Sequence, residues 1–178
     1  MNLPNKLSLM RVALIPVMVA LMYPNTPVCN TLAAVVFALA AFTDFLDGYI
    51  ARKNGLVTDF GKFVDPVADK LLVLSSLIML VQHGLMLAWV VVVILARELC
   101  VDGLRMVAVS NGKVIAAGKL GKIKTCSQIA LVLWLMLSRI PVMGSWIGMV
   151  LTAWVTVITL WSGIDYFVKN GSVIMNSK

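Results

Sequence analysis

The chain has 178 residues, of which 61% are hydrophobic and 13% charged, and its mean hydropathy is +0.97. So little polar surface cannot cover a water-soluble globule, which excludes an ordinary soluble enzyme and implies an integral membrane protein, read as a single domain over residues 1–178. The net charge of +7 belongs to cations at the edges of apolar runs rather than to a basic domain, so the expected partner is membrane lipid and not nucleic acid.

Six apolar runs, near residues 7–23, 31–50, 63–82, 85–109, 124–138 and 146–168, approach the ~20 residues that a helix needs to cross ~30 Å of hydrocarbon. Period-2 alternation is absent, which argues against a β-barrel. The expected fold is an all-α integral membrane protein with six transmembrane helices. Arg11 interrupts the first run and no small-residue cleavage site follows, so this run is expected to be retained rather than removed as a signal peptide. Between the second and third runs lies Lys53–Asp59, with Asn54-Gly55 as a turn and Asp59 as the expected N-cap of the third helix. Pro66 should bend that helix, because it cannot donate to the Lys62 carbonyl. A second loop, Asn111–Lys122, carries three glycines and leads to a fifth helix that opens on Lys122 and Lys124.

Charge orients these spans. Lys6 and Arg11, then Arg52, Lys53 and Lys62, then Lys113, Lys119, Lys122 and Lys124, and finally Lys169 and Lys178 fall at alternate ends, while the opposite ends carry only Arg139. The positive-inside rule then makes both termini and both basic loops cytoplasmic, with Arg11 and Lys124 as candidate anchors. Cys29, Cys100 and Cys126 have no CxxC spacing and read as small apolar fillers. His83 reads as a solvated loop residue, and Trp89, Trp146 and Trp161 as interfacial-belt residues.

Five of the eight acidic residues, Asp44, Asp47, Asp59, Asp65 and Asp69, crowd into 26 residues between two apolar runs. Asp44 and Asp47 share one helix face at i, i+3, as do Asp65 and Asp69 at i, i+4. Counted at ~1.5 Å per residue from the run ends, the first pair lies within about 10 Å of the cytoplasmic edge and the second roughly 6 to 12 Å deep, so the four share one layer. Four converging carboxylates repel unless cations neutralise them, and an oxygen-only donor set favours two divalent ions, Mg²⁺ or Mn²⁺, over Zn²⁺. Gly48 and Gly61 permit close approach of a bulky ligand, and Arg52 offers a forked donor to phosphate, which together suggest a nucleotide diphosphate. For any single aspartate, an interfacial salt bridge to Arg52, Lys53, Lys62 or Lys70 is an equal alternative; repetition at helical spacing on two helices favours the metal layer.

At these residues the chain resembles the CDP-alcohol phosphotransferase family, whose signature D-x2-D-G-x2-A-R-x8-G-x3-D-x3-D is matched without a gap by Asp44, Asp47, Gly48, Ala51, Arg52, Gly61, Asp65 and Asp69. The resemblance implies six transmembrane helices, a homodimer in the bacterial inner membrane, and an active site at the cytoplasmic edge. It implies that Asp44, Asp47 and Asp65 hold two metals on the pyrophosphate of a CDP-lipid. Asp69 would be the catalytic base and can also touch one metal. Gly48, Ala51, Arg52, Thr58 and Gly61 would form the CDP-lipid subsite. Three further stretches, NLPNKLSLMR, RELCVDGLRMVAVSNGKVIAAGKLGKIKT and LWSGIDYFVKN, look like members that transfer the phosphatidyl group of CDP-diacylglycerol to glycerol 3-phosphate. Arg97, Arg105 and Lys122 are then the expected acceptor phosphate contacts, although Arg97 has an alternative reading as a buried pair with Glu98 or Asp102. Two other functions remain open: a different acceptor, such as inositol phosphate or phosphatidylglycerol, and a divalent-cation transport path.

Overall fold

The computed structural model describes the backbone of residues 3–54, 59–110, 115 and 118–171, and the side chains of residues 7–43, 67–110, 115 and 118–171. Among the described residues there are six α-helices and no strand: α1 (Leu3–Met22), α2 (Pro27–Asn54), α3 (Asp59–Gln82), α4 (Ala88–Ser110), α5 (Lys119–Ser138) and α6 (Trp146–Asn170), with a 3₁₀ turn at Val142–Gly144. Each expected apolar run is a helix. α5 and α6 are long and apolar enough to cross a membrane, while Leu7–Met22 and Pro27–Thr43 are shorter apolar stretches.

The boundaries differ where charge interrupted the hydropathy. α2 has 28 residues, about 42 Å at ~1.5 Å per residue, and carries Arg52 and Lys53 inside its last turns. α3 starts at Asp59, the residue expected to cap it, and continues through Pro66, which lies past the first turn and so withdraws a helical donor from the Lys62 carbonyl. α5 begins five residues before Lys124 rather than at it, because Lys119, Leu120 and Lys122 are good helix formers, although the two lysines lower the local hydropathy.

The helices form two compact units: Met1–Met86 with Val132–Pro141, and Leu87–Leu131 with Val142–Lys178. In the first, α1 packs against both α2 and α3. Its buried stripe is Ser8, Arg11, Ile15, Met18 and Met22, at alternating spacings of three and four. α2 meets it with Ala33, Ala34, Phe37 and Ala40, and α3 with Ala68, Leu72, Ser76, Leu77 and Leu80. Alanines at these contacts let helices approach closely where lipid supplies no hydrophobic drive. In the second unit α4 packs on α6 through Val90, Ile94, Glu98, Val101, Leu104 and Ala108 against Thr152, Val155, Thr159, Gly163 and Tyr166.

The connectors are pinned by polar contacts. Asn25 and Arg139 both take left-handed backbone (φ 50 and 54), and an Arg139 Nη2 hydrogen donates to the Asn25 carbonyl at 2.7 Å. Gly84 turns the chain after α3 at φ 68, a conformation that glycine adopts without strain. His83 is half-buried rather than solvated: its Nε2 lies 2.9 Å from the Met22 carbonyl oxygen, tying α3 to the end of α1. The cysteines are free, but Cys100 and Cys126 are exposed and so do not fill the core as expected. Trp89, Trp146 and Trp161 are exposed, at 57%, 71% and 64%, in keeping with lipid-facing positions.

Ala40 has no exposed surface, whereas its neighbour Leu39 is 55% exposed. Ala40→Leu is therefore expected to force α1 and α2 apart and cost about 1–3 kcal/mol. Leu39→Ala should stay within about 0.5 kcal/mol. Thermal unfolding in detergent distinguishes the two.

Candidate functional site

Asp44, Asp47, Gly48, Ala51 and Arg52 lie in the last turns of α2, and Gly61, Asp65 and Asp69 in the first turns of α3. These two helices pack against one another and against α1. Both halves of the signature therefore occupy neighbouring helix ends, and only residues 55–58 separate them. Thr58, and the side chains of every signature residue except Asp69, lie outside the described residues. Asp69 is described: it is half-buried, beside fully buried Ala68.

The level of Asp69 can be read from contacts further along. Ser76 Oγ, which donates to the Leu72 carbonyl at 2.8 Å, lies 3.3 Å from Met18 Sδ. His83 meets Met22 one step beyond. α1 and α3 thus run in the same direction, and seven residues back from Met18 and from Ser76 stand Arg11 and Asp69. At ~1.5 Å of rise on both helices, these two residues share one level.

Arg11 is 0% exposed, so it is not the membrane-edge anchor expected of it. The reason is that α1 is covered by two helices at once, which encloses the whole stripe that carries Arg11. A guanidinium out of water needs counter-charge, since the uncompensated ion costs several kcal/mol. Every acidic residue among residues 1–86 belongs to the stretch from Asp44 to Asp69, and residues 132–141 contain none. Within its unit, the acidic residues that could balance Arg11 are therefore those of this stretch, and of them Asp69 stands at its level. An oxygen-only acidic set is the donor chemistry that a hard divalent cation prefers, and these residues fit such an ion.

The second unit holds the basic candidates. Arg97 and Arg105 stand on α4, eight residues or about 12 Å apart, and both meet α6. A Cβ added to Gly163 would lie 3.1 Å from Arg97 Cγ, so the absence of a side chain there makes room for the arginine stem. The Arg97 side chain is only 11% exposed and its Nη1 lies 3.5 Å from Glu98 Oε1, while its Nε has no hydrogen-bond partner among the described residues. The alternative pairing with Glu98 is thus present in the structure. Glu98 is itself buried and also accepts a close hydrogen bond from Lys124 Nζ. Lys124 is consequently a buried link between α5 and α4 rather than an anchor. Lys122, two residues earlier, is exposed and remains available to an anion.

Arg105 is held differently. Its Nε donates to the Tyr166 hydroxyl at 3.0 Å, and its guanidinium carbon lies 5.4 Å from the centre of the Tyr166 ring. Tyr166, Gly163, the contact of Lys124 with Glu98 and the burial of Arg11 all escaped the sequence reading. A charged residue inside an apolar run is the signal for Glu98 and Arg11; for Tyr166 and Gly163, whose partners are 61 and 66 residues away, no local signal exists.

A family model described as CDP-alcohol phosphatidyltransferase matches residues 1–161. A Bacillus subtilis (strain 168) protein named CDP-diacylglycerol--glycerol-3-phosphate 3-phosphatidyltransferase is 46% identical, over 99% of this chain and 98% of its own length. A Rickettsia bellii protein of the same name is 46% identical over 72% of this chain and 71% of its own length. A Shigella flexneri serotype 5b protein, again so named, is 36% identical over 93% of this chain and 92% of its own length.

Removal of Arg11 separates a buried counter-charge from a surface cation. Arg11→Met is expected to cost about 3–5 kcal/mol, the usual penalty for breaking a buried ion pair from one side. Lys119→Met, at an exposed position, should change stability by less than about 0.5 kcal/mol. Unfolding midpoints in detergent report both.

Proposed function

The chain belongs to the CDP-alcohol phosphatidyltransferase family, and from that membership we propose that it transfers the phosphatidyl group of CDP-diacylglycerol to sn-glycerol 3-phosphate, releasing CMP and phosphatidylglycerophosphate. The observation that carries the reading is the complete signature on two packed helix ends, together with near full-length similarity to relatives bearing that name. The same similarity supports a glycerol 3-phosphate acceptor over inositol phosphate or phosphatidylglycerol, and an enzyme over a cation transporter.

In the proposed reaction, Asp69 accepts the proton of the primary hydroxyl of glycerol 3-phosphate. The freed oxygen attacks the lipid-bearing phosphorus in line; the new P–O bond forms as the pyrophosphate P–O bond breaks, and CMP leaves with the bridging oxygen. Asp44, Asp47, Asp65 and Asp69 would hold two Mg²⁺ or Mn²⁺ ions, which supply charge neutralisation for the pyrophosphate when bound. Gly48, Ala51, Arg52, Thr58 and Gly61 would receive the CDP moiety. Arg105 and Lys122, with Arg97 beside Glu98, would hold the acceptor phosphate through charge-assisted hydrogen bonds.

We place this chemistry at the cytoplasmic edge of a bacterial inner membrane, in a multi-pass homodimeric protein of six spans with both termini inside. The charge asymmetry of the sequence supports that orientation. Joining a water-soluble alcohol to a lipid also requires an active site that both phases reach.

Asp69→Asn keeps the size of the side chain but cannot accept the proton. Turnover should fall roughly 10²-fold or more while CDP-diacylglycerol binding largely persists; Asp44→Asn should weaken metal and CDP-lipid binding together. Equal loss of metal affinity with the same residual rate in both variants would overturn the division of roles. Chelation should abolish CMP release and Mg²⁺ or Mn²⁺ restore it, so full turnover in excess chelator contradicts the metal layer.

A further inference from the structure

We propose that Tyr166 is the positioning residue of the acceptor site: its hydroxyl, accepting from Arg105 Nε, aims the remaining guanidinium donors of Arg105 at the phosphate of glycerol 3-phosphate. The inference rests on the acceptor role given to Arg105 above and adds the group that makes that role selective.

Arginine has five N–H donors in a rigid plane. Tyr166 takes the single one on Nε, at 3.0 Å. Among the described residues no hydrogen bond or ion pair occupies the two terminal nitrogens. The guanidinium is therefore held by its inner edge and left open at its outer edge, which carries the parallel N–H pair that matches two phosphate oxygens. Arg97 contrasts with this, since one of its terminal nitrogens already faces Glu98.

Tyr166 is itself fixed. The residue is only 7% exposed and packs with Val101 and Leu104 of α4, and Ile115 packs against the same cluster. Val101, Leu104 and Arg105 lie within little more than one turn of the same helix, so the surface that grips the tyrosine ring is continuous with the arginine that the hydroxyl holds. The guanidinium carbon lies 5.4 Å from the ring centre, within cation–π range, which further restricts the side chain. An arginine on a flexible four-bond stem is ordered before the acceptor arrives, and the ordering entropy no longer weakens binding.

The test uses the full-length protein in detergent micelles with CDP-diacylglycerol and glycerol 3-phosphate, and compares Tyr166→Phe, Arg105→Gln and the double variant. Tyr166→Phe keeps the ring and its packing and removes the acceptor oxygen. Its KM for glycerol 3-phosphate should rise about tenfold, as expected for losing one charged hydrogen bond, with kcat, the KM for CDP-diacylglycerol and the unfolding midpoint close to wild type. In the Arg105→Gln background the same change should add less than twofold, because a residue that acts through Arg105 has nothing left to position.

An unaltered acceptor KM in Tyr166→Phe, with a raised one in Arg105→Gln, overturns the role of Tyr166 and leaves that of Arg105 standing. Equal effects of Tyr166→Phe in both backgrounds overturn it too. A wild-type acceptor KM in Arg105→Gln removes the acceptor reading of Arg105 and the present inference with it. If Tyr166→Phe yields no folded protein, the comparison moves to Tyr166→His, which retains a ring atom able to accept, and Tyr166→Trp, which does not. The histidine variant should then show the lower acceptor KM, and equal values would overturn the proposal.

Discussion

A charge held among apolar helices must be met by another charge, and the two units solve that problem in different ways. In the second unit Glu98 stands against both Arg97 and Lys124, so one buried carboxylate faces two cations across α4 and α5. In the first, Arg11 is buried completely and shares its level with Asp69, and the acids of its unit all belong to the stretch from Asp44 to Asp69. Breaking such a pair from one side strands a charge in a medium that cannot solvate it, which is why these residues constrain the helices around them. Arg11 is enclosed because the helix that bears it is covered by both α2 and α3.

Small residues make that enclosure possible. Ala33, Ala34, Ala40 and Ala68 line the contacts of α1, α2 and α3, and Gly163 leaves space for the stem of Arg97. In lipid, close packing and polar contact replace the hydrophobic drive that folds soluble domains. The fold therefore places alanine where helices pack closely and glycine where the stem of Arg97 passes, while large apolar residues such as Leu39, Phe42, Val157 and Ile164 remain exposed.

The sequence made the helices legible because hydropathy is additive along the chain: six apolar runs became six helices. It also showed the signature acids, because their spacing repeats at helical period within a single stretch. It misplaced the start of α5, where Lys119 and Lys122 lower the hydropathy without lowering the tendency to form a helix. Arg11 and Lys124 read as membrane-edge anchors because a positive-inside count registers only position along the chain. Their burial depends on which helix covers them, and that is decided by residues far away. Tyr166 was invisible for the same reason: its partner, Arg105, lies 61 residues earlier.

Anionic substrates place opposite demands on the two groups of charged residues. A pyrophosphate that meets four carboxylates is repelled unless cations intervene, whereas an acceptor phosphate needs basic side chains that no carboxylate has already neutralised. Glu98 bears on that second requirement by drawing Lys124 and part of Arg97 into a buried pair, and Arg105 and exposed Lys122 are among the described cations that it leaves with unspent donors. The carboxylate thus does more than offset buried charge. It divides the basic residues of α4 and α5 into those that hold the helices together and those that can meet a substrate, and Tyr166, which takes from Arg105 only its inner donor, keeps that residue in the second class.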